Sequence, residues 1–434
     1  MSNGMLLALY ALPLLLIWAS VAGIRQYREA QSRDTHREAI EAGLTEAASL
    51  HPVVRPELCI GCGACVKACP EGKILGLVNG KAKLIEPTQC IGHGACALAC
   101  PVHSIDLVFG TEKRGVDIPH IGSDFQTNVP GIYIAGELGG MGLIRNAIEQ
   151  GKQAMEAIAA ASATRPDMAF DVIIVGAGPS GISASLAAMK KGLNFLTLEQ
   201  DSLGGTVAHF PRAKLVMTAP AELPLVGKMK FRETSKETLL AFWEDVVAKT
   251  GLKISFGNRV ETITPKAGGF SVQTSQGIFE TSAVLLAMGR RGTPRKLDVP
   301  GEELSKVVYR LVDPAQYSGQ KVLVVGGGDS ALEAAISIAE EPATKVQISY
   351  RNDNFSRAKL KNRKKLEELQ ASDRITVLMS SNLCEINRSG VTLEQGGERF
   401  DSENDAVIIC AGGILPTGFL KSVGIEVETK YGRA

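Results

Sequence analysis

Two apolar patterns organise this chain. The first is a short run of β-branched residues that stops at glycines and continues into an Ala-rich amphipathic stretch. At 171–199, DVIIVGAGPSGISASLAAMKKGLNFLTLE, it predicts a buried strand, a tight turn, a helix, and a second strand closed by an acid. The turn reads G-x-G-x-x-G at Gly176, Gly178 and Gly181, with Pro179 and Ser180 opening the helix. Gly176 suits the tight turn, Gly178 lets backbone approach a pyrophosphate, and Gly181 lets helix and strand pack closely. The helix N-terminus presents free N–H groups to phosphates. Glu199 stands where a carboxylate can accept from ribose hydroxyls. A dinucleotide site is expected here.

The pattern recurs at 321–351. KVLVV leads into Gly326 and Gly328, with Asp329 and Ser330 starting the helix and Ala331 at the third glycine position. The following strand, 346–350, ends in Arg351 where the first copy has Glu199. A cation there suits a 2′-phosphate, with Arg357 a second candidate, so NADPH is expected over NADH.

The second pattern is the uncharged run from Met5 to Ile24, followed by Arg25, Arg28, Arg33 and Arg37. About 20 residues at 1.5 Å each can cross a ~30 Å hydrocarbon core. No basic residue precedes the run, as a signal peptide requires. The expectation is a single-pass anchor in the cytoplasmic membrane over 1–25, with the rest of the chain cytoplasmic. Residues 26–50 then read as a helical spacer with a solvated charged face.

Length and charge add bounds. A chain of 434 residues suggests about three domains. With 47 Lys+Arg against 46 Asp+Glu, no global field attracts nucleic acid, and none is expected as a partner. Seven of nine cysteines fall between Cys59 and Cys100. That clustering points to metal ligation instead of a disulfide framework.

The cysteines have a specific spacing. Cys59, Cys62, Cys65 and Cys69-Pro70 form C-x2-C-x2-C-x3-C-P, in which three thiolates surround one cluster and the fourth reaches a second. A zinc site would show two separated C-x2-C pairs. A near copy follows at Cys90, His93, Cys96 and Cys100-Pro101, and both halves share C-I-G-x-G-A-C. This stretch, about 56–108, resembles bacterial two-cluster (4Fe-4S) ferredoxins. The resemblance assigns Cys59, Cys62, Cys65 and Cys100 to the first cluster. Cys69, Cys90 and Cys96 go to the second, whose fourth position is open. His93 replaces a cysteine there: either its imidazole ligates iron, or the cluster is of the 3Fe-4S kind with His93 merely near.

Residues 127–137, TNVPGIYIAGE, and the helical stretch that follows resemble the last FAD-contacting segment of thioredoxin-reductase-like flavoproteins. By that resemblance Gly136 and Glu137 contact FAD, the acid at the ribityl chain. Gly204, Gly205 and Thr206 lie in a loop beside the flavin, and Ala287 and Gly289 stand in an A-T-G-like link with Met288 replacing threonine. Residues 405–416 resemble the strand that returns to the FAD domain. The family carries this segment near its carboxyl terminus, so a circular permutation is inferred, with 162–169 joining the old ends. Its usual arginine pair is broken by Asn352, and its C-x-x-C is absent between Lys321 and Tyr350.

The expected architecture is α/β: two Rossmann-like domains of the pyridine nucleotide-disulfide reductase type, a small α+β dicluster ferredoxin domain and a transmembrane helix. The expected boundaries are 1–25, 26–50, 51–110 (ferredoxin), 111–161 (permuted FAD segment), 170–300 (FAD), 301–400 (NAD(P)) and 401–434 (return to FAD). The expected function is a membrane-anchored oxidoreductase passing electrons between NADPH (or NADH), FAD and two iron–sulfur clusters, to or from an unidentified redox protein or small acceptor. No acid or base is named as catalytic. Two alternatives stand: a flavin that directly reduces a low-molecular-weight disulfide or quinone, and a non-catalytic electron-transfer subunit of a membrane complex. The resemblance also implies a possible homodimer.

Overall fold

The computed structural model describes residues 3–41, 45, 47, 50–70, 72–90, 92, 94–112, 115–140, 142–161, 168–212, 214–218, 220–231, 233–290, 292–356 and 358–432. The chain divides into two compact units, one spanning 1–114 with 432–434 and the other 115–431.

In the first unit, strands His51–Val54 and Ile105–Val108 pair antiparallel, bringing the ends of the cysteine region together. A second pair, Leu75–Val78 and Lys81–Leu84, is a hairpin whose two turn residues, Asn79 and Gly80, both have positive φ (54° and 71°). Asn-Gly is favoured in such a turn because it tolerates that conformation. Short helices Ala64–Ala68 and Ala95–Leu98 each follow a left-handed glycine, Gly63 and Gly94, so the sequence repeat is also a structural repeat. Between them lies a core of Cys59, Cys65, Leu75, Ala82, Cys96, Cys100 and Ile105.

The amino-terminal expectation is corrected. Among the described residues no helix is long and apolar enough to cross a membrane, which overturns the anchor and the cytoplasmic-membrane localisation. Residues Asn3–Glu41 form one helix that runs through Pro13. The helix does not stop at Ile24 but runs on through the charged residues Arg25, Arg28 and Glu29 to Glu41. The stretch after Arg25 keeps Asp34, Arg37 and Glu41 exposed, and it also packs within the unit. Glu29 accepts the Gly80 N–H at 2.9 Å, and Ala39 is buried.

In the second unit, Phe195–Leu198, Phe170–Val175 and the end of Gly277–Leu286 are parallel neighbours, and Ile132–Ile134 pairs parallel with Val284–Leu286. The first half of Gly277–Leu286 pairs antiparallel with Gly269–Thr274, which pairs with Val260–Lys266. Helices cover the parallel part, so its strands are apolar at nearly every position. Helix Ile144–Ala161 crosses Pro179–Lys191 so closely that a Cβ at Gly151 would sit 2.1 Å from the Ser180 carbonyl oxygen. Strand Val427–Lys430 pairs antiparallel with Val116–Pro119, tying the end of this unit to its beginning.

A second parallel sheet has the order Val307–Val308, Ala406–Ile409, Lys321–Val325, Lys345–Tyr350, Ile375–Met379. Here another expectation changes. Ala406–Ile409 does not return to the flavin sheet; it is the neighbour of Lys321–Val325 in this one. Its four residues are all buried, and Val407 packs with Leu323, Leu383 and Val391. The return comes later, where Gly413–Ile414 pairs with Thr293–Pro294 and Leu420, Val423 and Ile425 enter the first sheet's core.

Candidate redox centres

At the first glycine turn, Gly176 has φ +109°, and a Cβ there would meet the Ala287 carbonyl oxygen at 2.6 Å. At Gly181 a Cβ would lie 1.8 Å from the Gly176 oxygen, so the turn closes only without side chains. Gly178 caps the helix, and Pro179 occupies its first turn, where a missing N–H costs nothing. The loop carrying Gly204, Gly205 and Thr206 folds over this turn: the Gly204 N–H donates to the Ala177 carbonyl at 3.0 Å, and a Cβ on Gly205 would lie 3.0 Å from Gly178 Cα. Ala287 donates to the Val175 carbonyl, Gly289 faces Thr206, and Gly136 approaches Ser180 from the far side. Thus Gly136, Gly176, Gly178, Pro179, Ser180, Gly181, Gly204, Gly205, Thr206, Ala287 and Gly289 converge. Glu137 adjoins them in the 3-10 turn Gly136–Gly139.

Glu199 is buried, and both its oxygens are engaged, accepting from Ala177 N–H at 2.8 Å and Asp201 N–H at 2.9 Å. The carboxylate therefore braces the glycine turn. Ser180 is buried with an unpartnered hydroxyl. A buried polar atom without a partner is costly, and a dinucleotide phosphate would satisfy it. The residues fit FAD.

Sequence reasoning missed two supports of this site. Gln150 Oε1 accepts the Gly136 N–H at 2.9 Å from the neighbouring helix. His209 ends the turn that follows Thr206, with Nε2 3.2 Å from Asp201 and Nδ1 against the Arg310 guanidinium. Arginine can only donate, so Nδ1 accepts and Nε2 carries a hydrogen toward Asp201. No local motif marks either residue.

At the second turn, Gly326 has φ +146°, and a Cβ would meet the Cys410 carbonyl at 2.5 Å. Gly328 caps helix Asp329–Ala339. One oxygen of Asp329 accepts from the Lys359 N–H and the Asn362 amide, both at 2.8 Å, so this side chain ties two segments together. Ser330 and Arg351 are exposed; Arg357 lies outside the described residues. The Tyr350 ring stacks on Phe355 and covers Gly327, where a Cβ would be 2.4 Å from ring carbons. That contact, unlike the G-x-G spacing, was not legible in sequence.

In the cysteine unit, Cys59, Cys62, Cys65 and Cys100 line one cavity together with Ala82 and Ser104. These are the four thiols that the ferredoxin resemblance assigns to one cluster. Among the described residues no three His, Cys, Asp or Glu side chains close in as a single metal ion demands. Thiolates that hold an iron–sulfur cluster bind different irons and so do not converge on one point. Burial pushes the Cys65 thiol up to about 11, the Val66 backbone pulls the other way, and neighbouring Cys59, Cys96 and Cys62 add to the rise. Burial also raises Cys96, with the charges of Cys90 and Cys69 adding to it, so the second trio shares one neighbourhood. Cys100 goes the other way: burial opposes its thiolate, but hydrogen bonds from Ser104, Val102 and His103 outweigh that. His93 lies outside the described residues.

Fold and sites define a flavin- and nicotinamide-dependent reductase joined to a cluster-binding domain. The pyridine nucleotide-disulphide oxidoreductase family matches residues 173–433, and the 4Fe-4S dicluster domain matches residues 51–101. The chain belongs to the pyridine nucleotide-disulphide oxidoreductase family, as an FAD-dependent NAD(P)H oxidoreductase carrying iron–sulfur clusters. It is 31% identical to a ferredoxin–NADP reductase of Thermus thermophilus, over 59% of this chain and 77% of that one. It is 25% identical to the bacilliredoxin reductase Bdr of Bacillus subtilis, over 60% and 82%. Among solved structures, the bacillithiol disulfide reductase Bdr of Bacillus cereus superposes with a TM-score of 0.53 at 25% identity, over 60% and 82%.

Proposed function

We propose that this chain exchanges electrons between NADPH and a redox partner, a ferredoxin-type protein or a small acceptor, through its own flavin and cluster domain. The observation that carries the reading is the cavity of Cys59, Cys62, Cys65 and Cys100 on a chain that otherwise has the two glycine turns of a reductase. When bound, FAD handles the two-electron chemistry of the nicotinamide and the clusters handle single electrons. The chain's residues bind and orient. Gly176–Gly181 and Ser180 would hold the FAD pyrophosphate, Glu199 the turn beside the ribose, and Gly136 and Glu137 the ribityl side. Gly326, Gly328 and the helix dipole behind them would hold the nicotinamide nucleotide's phosphates, with Arg351 and Arg357 toward a 2′-phosphate. Cys69, Cys90 and Cys96, with His93 or an open position, would hold the second cluster.

Residues 115–161 act in this reading as the displaced carboxyl-terminal part of the FAD domain. The pairings of Val116–Pro119 with Val427–Lys430, and of Ile132–Ile134 with Val284–Leu286, support it.

An anaerobic titration with NADPH, following flavin absorbance and cluster EPR together, tests the route. Bleached flavin with reduced-cluster signals is the expected result. Bleached flavin with clusters that only dithionite can reduce would disconnect the module. A second reading, direct reduction of a low-molecular-weight disulfide at the flavin, is favoured by the likeness to the Bacillus reductases. Cys62→Ser separates the two, since direct reduction would persist and cluster-routed reduction would fall by at least tenfold.

A further inference from the structure

The two halves of the cysteine repeat differ four residues after their last cysteine. The first half reads Cys69-Pro-Glu-Gly-Lys73-Ile74, the second Cys100-Pro-Val-His-Ser104-Ile105. Lys73 is exposed, whereas Ser104 is 2% exposed and lines the cavity of Cys59, Cys62, Cys65 and Cys100. His103 takes a left-handed φ of 47°, and the chain after it turns Ser104 back over Cys100. Both polar hydrogens of Ser104 then face one sulfur, the N–H at 3.3 Å and the hydroxyl at 3.3 Å from Cys100 Sγ. A cluster-bound thiolate has no proton to give, so the hydroxyl must be the donor. The Ala82 N–H adds a third donor, at 3.5 Å from Cys59 Sγ.

Reduction of a cluster adds one electron and moves no atoms. The sulfurs become more negative, and donors already aimed at them stabilise the reduced form more than the oxidised one. Hydrogen bonds to sulfur are among the levers that set cluster potentials. We infer that the Ser104 hydroxyl raises the reduction potential of the cluster held by Cys59, Cys62, Cys65 and Cys100 above the value those four ligands would give without it. Ser104 is thus a positioning residue: it reaches the iron only through Cys100. The inference rests on the ligand assignment proposed above.

The test is an anaerobic redox titration of the full chain followed by EPR, comparing wild type, Ser104→Ala and Ser104→Thr. Cys62→Ser identifies the first cluster's signal as the one it removes. Ser104→Ala keeps the backbone donor and loses only the hydroxyl. Its first-cluster midpoint should fall by the equivalent of roughly tenfold in the reduction equilibrium, 59 mV for one electron. The second cluster should stay in place, and Ser104→Thr should restore the wild-type value. Unchanged midpoints in Ser104→Ala at full iron and sulfide content would overturn the inference alone. A shift in the other signal would overturn the ligand assignment and the inference with it. Loss of the cluster from Ser104→Ala but not from Ser104→Thr would replace tuning with a role in assembly.

Discussion

Gly181 shows how little room the flavin turn leaves. A methyl there would overlap the Gly176 carbonyl at 1.8 Å, so Gly181→Ala must push helix and strand apart. Overpacking of this kind costs about 1–3 kcal/mol. We expect the purified Gly181→Ala protein to hold well under half the wild-type FAD per chain, measured by flavin absorbance after desalting. Glu302 offers a pH-dependent test. Burial pushes its carboxyl up, but the Leu297 N–H, the Tyr309 hydroxyl and the Asp298 and Val299 backbone outweigh burial and hold it below the ordinary 4.5. A depressed folded value means that the stabilisation is whole above pH 4.5 and is lost as pH falls through the folded value. Thermal melts of Glu302→Gln should lie below wild type at neutral pH, and the gap should narrow on acidification below 4.5.

At the scale of elements, the amino-terminal helix and the Leu75–Val78 hairpin depend on each other. Gly76 has no side chain because Ser32 of the helix stands where a Cβ would be, 2.6 Å from its Oγ. Glu29 supplies the acceptor for Gly80 at the hairpin turn. Hydrogen bonds to charged groups contribute about 1.5–3 kcal/mol, less where solvent reaches them. Glu29→Ala should therefore raise hydrogen–deuterium exchange along residues 26–41 and at Gly80, while the FAD unit's exchange stays unchanged. Equal protection in variant and wild type would show that the helix is held by its apolar contacts alone.

At the scale of the molecule, the chain order of the FAD domain is the feature to test. Strand Ile132–Ile134 lies fully buried in the first sheet, and helix Ile144–Ala161 covers Pro179–Lys191, yet both precede the glycine turn in sequence. Residues 168–434 alone should then fail to retain FAD, and appending residues 115–161 after Ala434 should restore it. The glycine turns and the cysteine repeat were legible in the sequence because each rests on backbone conformation or ligand spacing within about 30 residues. That local chemistry determined the reductase class and its cofactors. Tertiary structure alone decided that Ala406–Ile409 joins the nicotinamide sheet, that Gln150 holds the Gly136 N–H, that Tyr350 covers Gly327 and that Ser104 faces Cys100. In the first, four buried apolar residues fit either sheet equally well as sequence, and only the neighbours Leu323 and Leu383 choose between them. Gln150, Tyr350 and Ser104 are ordinary residues until a turn or a crossing helix sets their polar atoms or rings against a partner. The uncharged amino-terminal run was misleading for a related reason: apolarity alone does not say whether a helix ends with its apolar stretch, and this one continues on to pack against a hairpin.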